Sequence, residues 1–343
     1  MQALILAGGE GTRLRPLTLT VPKPVVPLAN RPFITYMLDW LRRHGFDDIV
    51  MSCGFLADGV REVLGTGEVE GVSIRYVDEP QPLGTAGAVK LAEPVLAERF
   101  AVLNGDVLTD LDLTALREFH EQRGATATLG LYPVEDPSSY GVVVTDEEGR
   151  VEAFLEKPAP GTAPTNHVNA GMYMLEHDVL DRIDAGRAVS FEREVFPGLV
   201  GEGLHASPLE GYWLDIGTPD RYLQGTRDIL RGAVETPVSP TNADNGFIPP
   251  VLLGQDCDIA PGAQVGSDVT LGDECRIGAG ASVRGSSLHE GVSVEEAATV
   301  QDSIVGAGAV IGAGSQLDGE TIVGVGAVVA PGTQLSGGRV PAA

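Results

Sequence analysis

From residue 253 onward an aliphatic side chain returns at every sixth position, first as Leu253, Ile259, Val265, Leu271, Ile277 and Val283. After a slip of one residue the count restarts at Leu288, Val294 and Val300, and after another it runs Val305, Ile311, Leu317, Val323, Val329 and Leu335. Glycine follows the aliphatic residue at Gly254, Gly266, Gly272, Gly278, Gly306, Gly312 and Gly324. A six-residue period with a small turn residue marks a parallel β-helix, whose stacked coils build one continuous core that no single repeat supplies.

Hexads of this kind resemble the left-handed β-helix, with about three hexads per coil, an exception to the right-handed crossover rule. Cys257 and Cys275 lie 18 residues apart and are expected to stack on adjacent coils as ladder residues. With Cys53 they complete a set of three cysteines without CxxC spacing, which argues against a thiolate zinc site and suits a reducing compartment. The first residues carry no basic n-region, and nowhere do eighteen apolar residues follow one another. The expectation is a cytoplasmic protein with no membrane partner. His44, His120, His167, His177 and His205 show no metal-ligand spacing and are read as surface or satisfied polar residues.

The 343 residues are 43% apolar and 21% charged, enough for two globular domains. Acidic residues outnumber basic ones 48 to 23, a formal charge of −25, and such a surface repels nucleic acid. Only three of the basic residues are lysines: Lys23, Lys90 and Lys157. The stretch 235–250 (ETPVSPTNADNGFIPP) has no hydrophobic period and reads as a linker, so the expected division is a first domain over 1–235, a linker over 236–250 and the β-helix over 251–340. Before the linker, apolar runs at 3–7, 49–53, 74–77 and 100–103 alternate with helical patterns at 33–44 and 113–123. This is the mark of βαβ units on a mostly parallel sheet, a Rossmann-like α/β domain whose ligands bind beyond the carboxyl ends of the strands.

The segment LILAGGEGTRLRPLT (residues 4–18) sets a glycine-rich turn directly after the first strand, where bare backbone N–H groups approach a phosphate closely. It lacks the GK[ST] of a Walker loop and the third glycine of a dinucleotide fingerprint, which disfavours a dehydrogenase. Arg13 and Arg15 sit in this loop. Lys23 follows between two prolines that stiffen its backbone, in VPKPVVPLANRPF (residues 21–33).

Taken with NGDVLTD (104–110), FLEKP (154–158), VNAGMYML (168–175) and YWLDIGTPDRYL (212–223), the first domain resembles the sugar-1-phosphate nucleotidylyltransferases, many of which carry a C-terminal left-handed β-helix. VPKPVVPLANRPF and PLGTAGAV (82–89) are most similar to the mannose-1-phosphate guanylyltransferases within that family. The resemblance implies that an NTP and a sugar 1-phosphate become an NDP-sugar and pyrophosphate, best read as GTP and mannose 1-phosphate giving GDP-mannose. Thymidylyl or uridylyl transfer to glucose 1-phosphate, or guanylyl transfer to a cyclitol 1-phosphate, are the neighbouring alternatives. Two polyanions must meet in such a reaction, so the protein supplies positioning and positive charge rather than a general base.

On that resemblance Arg13 and Lys23 hold the triphosphate and the departing pyrophosphate, and Lys157 the sugar phosphate. Asp106 and Asp215 match the family's Mg2+-binding aspartates, and two carboxylates suffice for an ion that keeps waters and shares substrate phosphates. Nucleotide contacts fall to Leu6, Gly8, Gly9, Gly11, Thr12, Glu79, Gly84 and Thr85. Glu79 suits guanine, since one carboxylate accepts from both N1–H and the exocyclic amine. Sugar contacts fall to Gly141, Glu156, Asn169 and Gly171. Lys90 is expected to be solvated, Arg15 to be a direct or supporting contact, and Asp110 to cap the helix over 113–123. Trp40 and Trp213 are read as packing residues.

A non-catalytic regulatory subunit of the same architecture would ordinarily have lost one of Arg13, Lys23, Asp106, Lys157 or Asp215, and none is lost here. An acyltransferase β-helix would need a histidine base and basic residues for coenzyme A, whereas residues 241–343 hold one histidine, His289, and three arginines against twelve acids. The β-helix is therefore expected to serve assembly or regulation, and its ends suggest a homo-oligomer.

Overall fold

A computed structural model describes residues 1–240 and 247–341. The chain forms two compact units, the first from Met1–Gly9 and Met37–Trp213, the second from Glu10–Tyr36 and Leu214–Ala343.

The first unit is built on a nine-stranded sheet. Its parallel half runs Arg99–Asn104, Gln2–Ala7, Asp48–Cys53, Ser73–Asp78, with Leu4 opposite Val102 on one side and Val50 on the other. Ala3, Leu4 and Ile5 have no exposure at all, the unbroken burial expected of a parallel strand covered on both faces. The strand His167–Glu176 then joins Arg99–Asn104 antiparallel and begins a second half containing Ala127–Pro133, Gly141–Thr145, Val151–Glu156 and Leu204–Pro208. Where His167–Glu176 meets Ala127–Pro133 the register slips between Asn169 and Tyr173. Such an irregularity bends a strand and re-aims its side chains.

Two local expectations are corrected. The helix Leu113–Arg123 is capped by Asp112, whose carboxylate accepts from Ala115 N at 3.0 Å. Asp110 stands too early for that and instead accepts from the Tyr212 amide at 2.6 Å. Lys90 is only 15% exposed and pairs with Glu93 at 2.8 Å, because the carboxylate three residues on meets its ammonium while the stem stays covered.

In the second unit, three parallel sheets of short strands stack as a left-handed β-helix. The registers explain the slips in the hexads. Leu253 faces Leu271, and Val305 faces Val323, across coils of 18 residues. Leu271 faces Leu288, Leu288 faces Val305, and Val323 faces Val340 across coils of 17. The missing residue always falls at the corner between the third sheet and the first, so the inward columns remain continuous: Ile277, Val283, Leu288, Ile311 and Val323 are at most 1% exposed. Cys257 and Cys275 occupy equivalent places one coil apart, with thiols near Gly272 O and His289 O at 3.2 and 3.1 Å.

The helix Pro219–Leu230 and the segment 10–36 pack with these coils. Arg231 meets Asp268 through two bonds of 2.9 and 2.7 Å, and Arg227 meets Asp302 at 2.6 Å. Asn30 donates to Leu271 O at 2.6 Å, and Leu17 lies against Gly306. Residues 10–36 and 214–235 group with the β-helix in the second unit. Among the described residues no helix is long and apolar enough to cross a membrane.

Candidate functional site

In the first unit the sequence-predicted residues gather at the carboxyl ends of the central strands. Gly8 follows the strand Gln2–Ala7, and a Cβ there would lie 2.6 Å from Glu79 Oε1, so the Glu79 carboxylate rests directly on the Gly8 backbone. Ser52 Oγ donates to Oε1 at 3.0 Å and the Leu83 amide to Oε2 at 3.4 Å, which fixes the carboxylate's plane. Gly9 faces open space. Gly105 donates its amide to Leu6 O at 2.9 Å, and a Cβ on it would come within 2.6 Å of that oxygen. Only glycine allows this approach, which sets the half-buried Asp106 beside Leu6 at the end of the first strand.

Gly84 has φ +71°, and a Cβ there would strike Val189 O at 2.6 Å. The same oxygen accepts from Ala86 N and Gly87 N at 3.0 and 3.2 Å. The first turn of the helix Gly84–Leu91 is thereby occupied by the protein itself. Thr85 is likewise engaged: its hydroxyl donates to Glu192 Oε2 at 2.9 Å and accepts from Phe191 N at 2.9 Å.

Among the expected sugar contacts, Gly141 lies against the Phe154 ring and Glu156, which a Cβ there would approach to 2.7 and 3.1 Å. Burial raises the Glu156 carboxyl above its ordinary range, opposed by the neighbouring charge of Lys157. Lys157 itself has φ +50°, donates its amide to Tyr140 O at 3.0 Å and leaves its side chain 59% exposed. Its ammonium is 3.9 Å from Glu156 Oε1. Asn169 and Gly171 sit in the slipped register: Asn169 Oδ1 accepts from Gly171 N and its Nδ2 donates to Tyr173 Oη, both at 2.9 Å.

Sequence reasoning missed two residues here. Glu192 accepts from Tyr173 at 3.3 Å, Ser190 at 2.5 Å and Thr85 at 2.9 Å, so one carboxylate joins Thr85 to the Asn169–Tyr173 pair. Asn104 is the other: its amide fills the space above Gly171, where a Cβ would meet Nδ2 at 2.5 Å, and it ties the Asp106 turn to the Asn169–Gly171 bend. Nothing in the spacing of VSFEREVF singles out Glu192. For Asn104 the NGD motif was a signal, read for its aspartate alone.

The second unit holds the cationic loop. Gly11 has φ +60°, and a Cβ on it would stand 3.0 Å from both Lys23 Cβ and Thr18 Cγ2; the Thr18 hydroxyl donates to Gly11 O at 2.8 Å. Lys23 is thereby seated against the glycine turn, half-buried, while Thr12 and Arg13 remain exposed. The Arg13 guanidinium lies over Gly217, where a Cβ would come within 2.5 Å of Nη2 and 2.9 Å of Asp215 Oδ1. That oxygen accepts from Gly217 N at 2.8 Å, and Oδ2 stands 3.5 Å from Arg221. Arg15 pairs with Glu10 at 2.6 Å. Gly217 was not singled out by the sequence.

Asp106, in a short turn, and Asp215, at the end of the strand Trp213–Asp215, each offer hard carboxylate oxygens, the kind that suits a magnesium ion retaining its waters. Among the described residues no three histidine, cysteine or carboxylate side chains cluster as a closed metal cage.

The family model described as nucleotidyl transferase matches residues 2–232, and one described as the GMPPB C-terminal domain matches residues 247–342. The mannose-1-phosphate guanylyltransferase of Mycobacterium tuberculosis is 40% identical over 267 residues, 77% of this chain and 72% of its own. A mannose-1-phosphate guanyltransferase of Schizosaccharomyces pombe is 42% identical over 271 residues, 75% of this chain and 74% of its own. Among solved structures, HddC from Yersinia pseudotuberculosis superposes with a TM-score of 0.56 at 27% identity, covering 65% of this chain and 97% of that one.

Proposed function

This chain belongs to the nucleotidyl transferase family, and from that premise we propose that it joins GTP and mannose 1-phosphate into GDP-mannose, releasing pyrophosphate. The observation that carries the proposal is the seating of Arg13 over Gly217 beside Asp215, a phosphate-binding cation held next to a carboxylate suited to a metal. The printed names of the relatives support the substrate pair.

In the proposed reaction an ionised phosphate oxygen of mannose 1-phosphate attacks the α-phosphorus of GTP in line. The new O–P bond forms as the bond from the α-phosphorus to the bridging oxygen breaks, and pyrophosphate leaves with that electron pair. No proton transfer to the protein is required. Arg13 and Lys23 neutralise the triphosphate and stabilise the leaving pyrophosphate, and Lys157 holds the sugar phosphate. Asp106 and Asp215 would hold Mg2+, which when bound supplies charge neutralisation and orientation at the α-phosphate. Glu79 accepts from N1–H and the exocyclic amine of guanine beside Gly8, with Gly9 leaving space for the nucleoside. Gly11 and Thr12 shape the phosphate turn, and Gly84 and Thr85 support the base pocket through backbone and the Glu192 link. Gly141, Glu156, Asn169 and Gly171 receive the sugar. We also propose that the protein works in the cytoplasm as a homo-oligomer, which light scattering would establish.

The test is pyrophosphate release with Mg2+ over several NTPs crossed with mannose, glucose, N-acetylglucosamine and a cyclitol 1-phosphate. Release confined to GTP with mannose 1-phosphate supports the proposal. Release with a different pair overturns the substrate assignment, and silence from a folded, nucleotide-binding protein overturns catalysis.

A further inference from the structure

Groups from the β-helix and from the segment 10–36 converge on one phenol. Tyr222, on the helix Pro219–Leu230, is fully buried. Its hydroxyl contacts Pro27 O, His289 Nε2 at 3.1 Å and Ser287 Oγ at 3.3 Å. Thr270 donates to the same serine at 2.9 Å. The directions of these bonds follow from the inventory of donors. Pro27 O only accepts, so the single phenol proton goes there, and Tyr222 Oη must then accept from His289 and Ser287. His289 therefore carries a proton on Nε2, and burial, which disfavours the charged ring, keeps it neutral.

The two segments that this phenol joins both carry groups of the proposed reaction. Pro27 lies four residues beyond Lys23 in one short turn and hairpin. Tyr222 lies one helical turn beyond the start of its helix, directly after the turn in which Asp215 accepts from Gly217. Ser287 and His289 belong to the first sheet of the β-helix and its following turn. A displaced phenol would release Pro27 O and the start of that helix together.

We propose that Tyr222, held by His289 and Ser287, is a positioning residue for nucleotidyl transfer: it fixes the Lys23 segment and the Asp215–Gly217 turn to one rigid stack of coils. The β-helix then acts as the base plate of the phosphate-handling groups, beyond any part in assembly. This rests on the function proposed above.

The test uses the full chain. Tyr222→Phe keeps the ring and removes the hydroxyl, His289→Gln keeps an N–H donor, and His289→Leu removes it. At 25 °C, Tyr222→Phe and His289→Leu are expected to lower kcat about 10-fold or more with KM for the sugar phosphate within twofold. His289→Gln should recover most of the rate, and the double variant Tyr222→Phe/His289→Leu should be no slower than Tyr222→Phe. Wild-type kcat in Tyr222→Phe, even with a lowered Tm, overturns the proposal, as do losses that multiply in the double variant. Amide hydrogen exchange supplies a readout independent of turnover. Peptides spanning residues 23–28 and 215–222 should both exchange faster in Tyr222→Phe while residues 293–323 do not change, and an effect on only one of the two segments overturns the coupling. If the wild type shows no turnover with GTP and mannose 1-phosphate, the proposed function fails, and the exchange result alone decides the positioning role.

Discussion

Replacing Gly217 by alanine separates activity from stability at a single methyl group. The added Cβ would stand 2.5 Å from Arg13 Nη2 and 2.9 Å from Asp215 Oδ1, where ordinary contact begins at 3.4 Å. The guanidinium must therefore retreat by about 1 Å, and a misplacement of that size can cost about 100-fold in rate, or about 2.7 kcal/mol of transition-state stabilisation. The crowded atoms are ends of flexible side chains, and Gly217 does not have a left-handed φ. Folding stability should thus change by less than about 1 kcal/mol. The assay is kcat/KM for GTP with saturating mannose 1-phosphate and Mg2+, together with thermal unfolding. Gly198→Ala, where a Cβ meets nothing within 4 Å, is the matched control and should be silent in both. If Gly217→Ala turns over within about threefold of wild type while remaining folded, the seating of Arg13 is not the working one and the reasoning fails.

A methyl at Gly8 would press 2.6 Å from Glu79 Oε1, so Gly8→Ala should raise KM for GTP at least about 10-fold while leaving that for the sugar phosphate within twofold; equal effects on both would refute guanine reading by Glu79. Asp106→Asn should leave far-ultraviolet circular dichroism and Tm unchanged and reduce kcat about 100-fold or more, by analogy with loss of one electrostatic stabiliser; near-wild-type turnover at any Mg2+ concentration would remove Asp106 from the metal site. Burial lowers His289 from 6.5 to about 4, so between these values the unfolded chain takes up a proton that the folded chain refuses. Stability contributed by this group is full above pH 6.5, falls as pH drops toward 4, and should be reduced by about 2 kcal/mol at pH 5. Denaturant unfolding at pH 7.5 and pH 5 should show a shallower decline in His289→Gln than in wild type, and equal declines would show that His289 does not titrate in this range.

What could be read without coordinates was what depends on neighbours along the chain. The hexads reveal the coils because each inward position is followed by its own turn, and the slips at Leu288 and Val305 carry two of the 17-residue coils in plain sight. The parallel strands were legible because burial on both faces demands unbroken apolar runs such as Ala3, Leu4 and Ile5. Motif residues such as Arg13, Lys23 and Asp106 stood out because the segments that carry them resemble those of a known family, and that resemblance implies their phosphate and metal chemistry. Partner choice is different, since it depends on side chains brought together by packing. Asp112 rather than Asp110 caps its helix because the latter's carboxylate finds the Tyr212 amide 102 residues away. Glu192 joins Thr85 to Tyr173, and Asn104 fills the space above Gly171, through closures that no local pattern records. The segment 10–36 adjoins the first strand in sequence yet packs with the β-helix. That outcome was decided by Tyr222, Asn30 and Leu17 finding their partners there, because a buried hydroxyl or amide must satisfy its hydrogen bonds wherever the fold presents a complementary atom.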